Sequence, residues 1–229
     1  ILIKFNQPYD QYDVQSELDI RPGDRLQFFN REEGRILAER HALDVVSDKE
    51  NKQLEIMLDG SVEGLVTGRL GRATIPNRTV LSDASVTQVF NASRGCNQFV
   101  FRGNTAIDSR RVGVLAKGYC GLIEDNRFEN LGGGGVEFWN APFEGLGAES
   151  YVVRNNKIIN CRRLLRQDAS IWAETFRPGA DPIHRDILIE GNLIIDPDIE
   201  AILLNGAHNV LLRNNLTLPE MTGEPHLND

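Results

Sequence analysis

From Phe99 onward the chain alternates apolar and polar residues in short runs, and the runs can be laid over one another. FVFRGNTAI, GLIEDNRFE, YVVRNNKII, ILIEGNLII and VLLRNNLTL superpose on one asparagine each: Asn104, Asn126, Asn156, Asn192 and Asn215. Successive asparagines are 22, 30, 36 and 23 residues apart. Three positions before them stand Phe101, Ile123, Val153, Ile189 and Leu212, all apolar; two positions before them stand Arg102, Glu124, Arg154, Glu190 and Arg213. Side chains alternate sides along a strand. The apolar column therefore faces a core and the charged column faces out, changing sign at every step. Parallel strands lie about 4.8 Å apart, so this column reads as an exposed ladder of opposite charges that fixes register. The asparagine ends its strand, where a short polar side chain can turn the backbone and bond to its counterpart on the next repeat.

A second strand follows about ten residues later: VGVLAK at 112–117, GVEFWN at 135–140, LLRQDA at 164–169 and EAILLN at 200–205. Short strands, no helix-length amphipathic run and a coil of about 22 residues predict an all-β right-handed parallel β-helix over 86–229; a leucine-rich LxxLxL pattern is absent. Two coils are lengthened at the same edge, by APFEGLGAES at 141–150 and SIWAETFRPGADPIHRD at 170–186. Insertions from one edge of a solenoid build the walls of its binding face. Residues 21–85 do not follow the repeat. DIRPGDRLQFFN, ERHALDVVSD and KQLEIMLDGS read as strands joined by turns, predicting a small inserted β-barrel or sandwich. Residues 1–20, with ILIKF, then read as the end of an upstream coil, and TVLSDASVTQVF as the return to the solenoid.

Charge and composition narrow the partners. A net charge of −8 gives no basic footprint for nucleic acid. No apolar run approaches the 18 residues or so of a membrane span. Cys96, Cys120 and Cys161 lack zinc or disulfide spacing and read as buried free thiols; His41, His184, His208 and His226 form no motif and read as surface residues. No metal and no cofactor is expected. The chain starts at Ile1, within what reads as a strand, so it is expected to come from a longer parent, and a signal peptide cannot be sought in it.

Carbohydrate is the partner these side chains suit, since sugar C–H faces stack on aromatic rings while hydroxyls need paired donors and acceptors. The two long segments hold Phe143, Glu144, Trp172, Glu174, Phe176 and His184, with Trp139 beside them on a strand end. Glycoside hydrolysis needs two carboxyl groups, about 5.5 Å apart for retention and roughly 6.5–9.5 Å for inversion. Neighbouring coils place side chains at such distances. Glu137 and Asp168 are the leading acid and base candidates, with Asp108 in the IDSRR turn as a third acid. Trp139, Asn140, Lys117, Arg111, Arg166, Trp172, Glu174 and Asn205 are candidate substrate contacts. The basic residues keep a polysaccharide lyase open as an alternative, and a non-catalytic carbohydrate-binding or adhesin module is a third class.

RPGDRLQFF followed by FRGNTAIDSRRVGVLAKGYCGLIEDNRFENLGGGGVEF resembles the glycoside hydrolase family 110 α-galactosidases and their β-helix relatives, over most of residues 20–215. The resemblance implies exo-acting hydrolysis of α-linked galactosides by acids on neighbouring coils, and a secreted or periplasmic location. The chain departs from the family after the glycine run: in GVEFWNAP only Glu137 stands where acids are expected.

Overall fold

The computed structural model describes residues 2–6, 20–30, 33–48, 53–66, 72–75, 78–81, 87–140, 146–162, 164, 169–175, 182–197 and 200–219. These fall into two compact units, one of residues 1–95 together with 142–146 and one of residues 96–141 and 147–229.

The N-terminal unit is a five-stranded antiparallel sheet in the order Leu2–Asn6, Gln53–Leu58, Arg35–Asp48, Arg25–Asn30, Gln88–Asn91. Its core gathers Leu26, Phe28, Ala42, Ile56 and Leu58. The RPGD turn is tied by the Asp24 carboxylate, which accepts the Arg21 N–H and the Asn91 amide, each at 2.9 Å. Two expectations change here. Leu2–Asn6 does not close an upstream coil but pairs antiparallel with Gln53–Leu58. Gln88–Asn91 does not return to the solenoid but pairs antiparallel with Arg25–Asn30. Alternation alone cannot tell a parallel coil strand from an antiparallel one.

The C-terminal unit is a parallel β-helix with three faces. The first stacks Val100–Arg102, Leu122–Glu124, Ala148–Arg154, His184–Glu190 and Ala207–Arg213; the second stacks Thr105–Ile107, Arg127–Glu129, Lys157–Ile159, Leu193–Ile195 and Leu216–Leu218. The third stacks Val114–Leu115, Val136–Asn140, Ile171–Thr175 and Ile202–Leu204. Inside lie Ile123, Phe128, Val136, Phe138, Tyr151, Val153, Ile158, Ile171, Ile189 and Ile194, each at most 1% exposed. On the final described coil Leu212 and Leu216 remain exposed.

The corner between the first two faces explains the dipeptides GN, DN, NN, GN and NN in the repeat. Gly103, Asp125, Asn155, Gly191 and Asn214 hold φ of 68°, 56°, 55°, 63° and 55°. This left-handed region favours glycine and short polar residues. The asparagine that follows turns inward and forms the ladder: Nδ2 of Asn126, Asn156 and Asn192 donates to Oδ1 of the next asparagine at 2.9, 3.0 and 2.9 Å. The second amide hydrogen goes to the carbonyl of the core residue one coil back, Phe101, Ile123 or Val153. Each Oδ1 in the middle also accepts a backbone N–H from the coil before it. Every hydrogen-bonding group of these buried side chains is thus occupied.

The charge ladder forms as expected, with one change in burial. Glu124 pairs with Arg102 and Arg154, and Glu190 with Arg213. Glu124 is covered by its neighbours and is only 4% exposed. The hydrogen bond from Arg154, outweighing desolvation with help from Arg102, keeps its carboxyl below the ordinary glutamate range.

Candidate active site

Third-face strands present alternate residues outward. Val136 and Phe138 pack into the core, as do Ile171 and Ala173, which leaves Glu137, Trp139, Trp172 and Glu174 on the outer side. Parallel register pairs Glu137 with Trp172 and Trp139 with Glu174. The four side chains make a square tile: carboxylates on one diagonal, indoles on the other. One strand step of about 4.8 Å and two residue steps of about 3.3 Å put the diagonal positions about 8 Å apart at the backbone. The two rings stack, with centroids 6.5 Å apart and planes 14° from parallel.

Two further candidates join the tile by register. Leu115 pairs with Glu137, so Lys117 stands level with Trp139 on the preceding coil, and the Ala116 N–H bonds to the Glu137 carbonyl at 2.8 Å. On the following coil Leu204 pairs with Ala173, so Asn205 stands level with Glu174; its N–H reaches the Ala173 carbonyl at 2.7 Å. Lys117 is half-buried and Asn205 exposed.

The Glu137 carboxylate is held by backbone. Glu137 is 5% exposed, and its Oε1 accepts the Gly134 N–H at 2.8 Å. The turn LGGGG makes that bond possible by close approach: a Cβ on Gly134 would stand 2.5 Å from the Ala169 carbonyl oxygen. Glu174 is partly buried, and desolvation pushes its carboxyl above the ordinary glutamate range. His184, fully buried beneath it, accepts the Ala148 N–H at Nδ1 (3.0 Å) and donates from Nε2 to the Glu174 carbonyl (3.1 Å). That pattern selects one neutral tautomer, and burial holds the imidazole pKa down to about 4.

One donor at the tile is left over. Trp172 is 6% exposed, and among the described residues its Nε1 has no hydrogen-bond partner. An unmade bond of this kind costs about 1–3 kcal/mol.

The remaining candidates lie elsewhere. Asp108, exposed at the end of a second-face strand with φ 55°, accepts the Asn130 amide, and Asn130 in turn accepts the Asn160 amide at 2.8 Å. It belongs to a ladder of turn residues, at a corner away from the tile. Arg111 is exposed in the turn before the third face, where its N–H bonds to Ser109 Oγ. Asn140 ends its strand opposite Thr175. Asp168 and Arg166 lie outside the described residues, as does the wall residue Phe176.

The third coil carries the main correction. Its third-face strand is Ile171–Thr175, starting seven residues after the start of the LLRQDA segment expected there, so Trp172 and Glu174 stand on the sheet and not in an insertion. Both segments alternate; only IWAET sets apolar Ile171 and Ala173 opposite Val136 and Phe138. His184 is a first-face strand residue rather than a surface one. Its inward orientation was hidden because Asp186, at φ 57°, breaks the alternation of that strand.

Among the described residues no group of three or more His, Cys, Asp and Glu side chains is placed to hold a metal ion, and no helix is long and apolar enough to cross a membrane. No curated protein matches the chain. The family model for the right-handed beta helix region matches residues 89–218, more than half of the chain, and spans the parallel faces that carry the tile. With its coils, its asparagine ladder and this match in agreement, the chain belongs to the right-handed beta-helix family.

Proposed function

We propose that the chain is a glycoside hydrolase whose active site is the tile of Glu137, Trp139, Trp172 and Glu174. β-Helix domains are common in carbohydrate-active enzymes and in adhesins, so the fold by itself does not choose between them. The carrying observation is the diagonal pair of carboxylates with indoles at the other two corners. Backbone positions about 8 Å apart are compatible with the carboxyl separation of inverting enzymes, roughly 6.5–9.5 Å, which leaves room for a water opposite the leaving group.

Environment divides the roles. Glu174, whose carboxyl desolvation pushes above the ordinary glutamate range, is the general acid and protonates the glycosidic oxygen. Glu137, bonded to the Gly134 N–H, is the general base for the attacking water. Trp139 offers a ring face to the sugar, while Lys117 and Asn205, at either end of the same column, contact its hydroxyls. α-Linked galactosides are the first substrates to try, and a secreted or periplasmic location is part of the proposal.

Turnover of an α-galactoside panel by the wild type, Glu137→Gln and Glu174→Gln tests it. Each variant should lose at least about a hundredfold in kcat, the range of acid–base contributions, with binding retained. Undiminished turnover in both variants overturns the assignment. Lys117, level with Trp139, supports one second reading: β-elimination on a uronate with lysine as base. An unsaturated product would identify it.

A further inference from the structure

The leftover indole N–H carries the site one step further. Trp172 and Glu137 are register partners on adjacent strands of the third face, both outward and both more than nine-tenths buried. One brings a donor with no partner among the described residues; the other brings a carboxylate. A group bound between them must accept from the indole and donate to the carboxylate. An anion such as a sulfate or uronate carboxylate meets the indole but is repelled by Glu137. An ammonium meets Glu137 but has nothing for the indole to donate to. A hydroxyl does both, because its oxygen accepts while its hydrogen is given away.

We propose that Trp172 reads one hydroxyl of a neutral sugar: Nε1–H donates to the hydroxyl oxygen, and that hydroxyl donates to Glu137. This deepens the glycosidase reading and rests on it. Trp172 is then a substrate contact with a defined atom, beyond its part in the ring stack with Trp139. It makes the site selective for a hydroxylated carbon over the same sugar lacking that hydroxyl, since an analogue without it leaves the Trp172 N–H unpaired. The chemistry excludes a uronate at this position.

A deoxy-sugar cycle tests the proposal. Methyl glycosides of galactose, glucose, mannose and N-acetylglucosamine are titrated against the wild type by calorimetry to find one that binds. Its monodeoxy analogues are then titrated against the wild type and Trp172→Phe, which keeps a ring in place and removes the N–H. The expected result is that one analogue binds the wild type about tenfold or more weakly, and that this difference shrinks to about twofold in the variant. Trp172→Phe should fold at least as well as the wild type in thermal unfolding, because it deletes an unpaired donor. If the variant does not fold, the analogue series on the wild type still decides, since equal binding of every analogue overturns the proposal. A deoxy effect of the same size in both proteins overturns the Trp172 contact and leaves the glycosidase reading standing. A wild type that binds none of the four sugars overturns both.

Discussion

His184 has no room for a proton on Nδ1, which already accepts the Ala148 N–H, while Nε2–H is committed to the Glu174 carbonyl. Burial holds its pKa down to about 4, against about 6.5 in an unfolded chain. Between those values the unfolded chain binds a proton that the folded chain does not. Stability is therefore full above about pH 6.5 and falls as the pH drops through this window, by about 3 kcal/mol for this one group. Urea unfolding at about pH 7 and about pH 4.5 should show the loss, and His184→Gln should show less of it. A wild-type midpoint that does not move between the two conditions would contradict the buried neutral imidazole. Asn156 gives a second residue-scale outcome. Its side chain is 1% exposed and fully bonded, whereas Asn104 begins the ladder exposed. Asn156→Ala should cost about 3 kcal/mol in chemical denaturation and Asn104→Ala under about 1 kcal/mol, because only the first leaves buried partners unmet.

At the scale of elements, what could be read in advance depended on side chains that mark a position. The first face was legible because its asparagine cannot slide: it must meet its counterpart, and it does so at every described coil. The second face went unrecognised. Its strands are three residues long and begin immediately past that asparagine, so alternation runs through the corner without a break. The third face has no ladder, and its register in the long coil rested on alternation alone, which LLRQDA and IWAET share. Glu137 and Trp139 alternate within GVEFWN and lie on the strand that pattern predicts, whereas the pattern puts Trp172 and Glu174 in a loop and the structure puts them on a strand. The tile therefore could not be seen, since it exists only when Ile171 is set against Val136.

At the scale of the molecule, two hydrophobic cores form separately, one around Phe28 and Ile56 and one inside the coils. Each is expected to melt by itself, because a chain with more than one cooperative core departs from two-state unfolding. Calorimetry should resolve two transitions. Phe28→Ala removes a fully buried ring, a change worth about 3–5 kcal/mol, and should lower one transition while leaving the other in place. A single transition that shifts as a whole would show that the cores do not melt separately.

The function proposed for the β-helix rests on geometry that leaves a stereochemical signature. Carboxyl groups roughly 6.5–9.5 Å apart admit a water and invert the anomeric centre, as backbone positions about 8 Å apart allow; a pair at about 5.5 Å would form a glycosyl-enzyme and retain it. The direct measurement is proton NMR of the sugar first released by the wild type from the α-galactoside it turns over, recorded before mutarotation. With Glu174 as acid and Glu137 as base, the first product is the β-anomer. Release of the α-anomer, or no release from any member of the panel, would contradict the account.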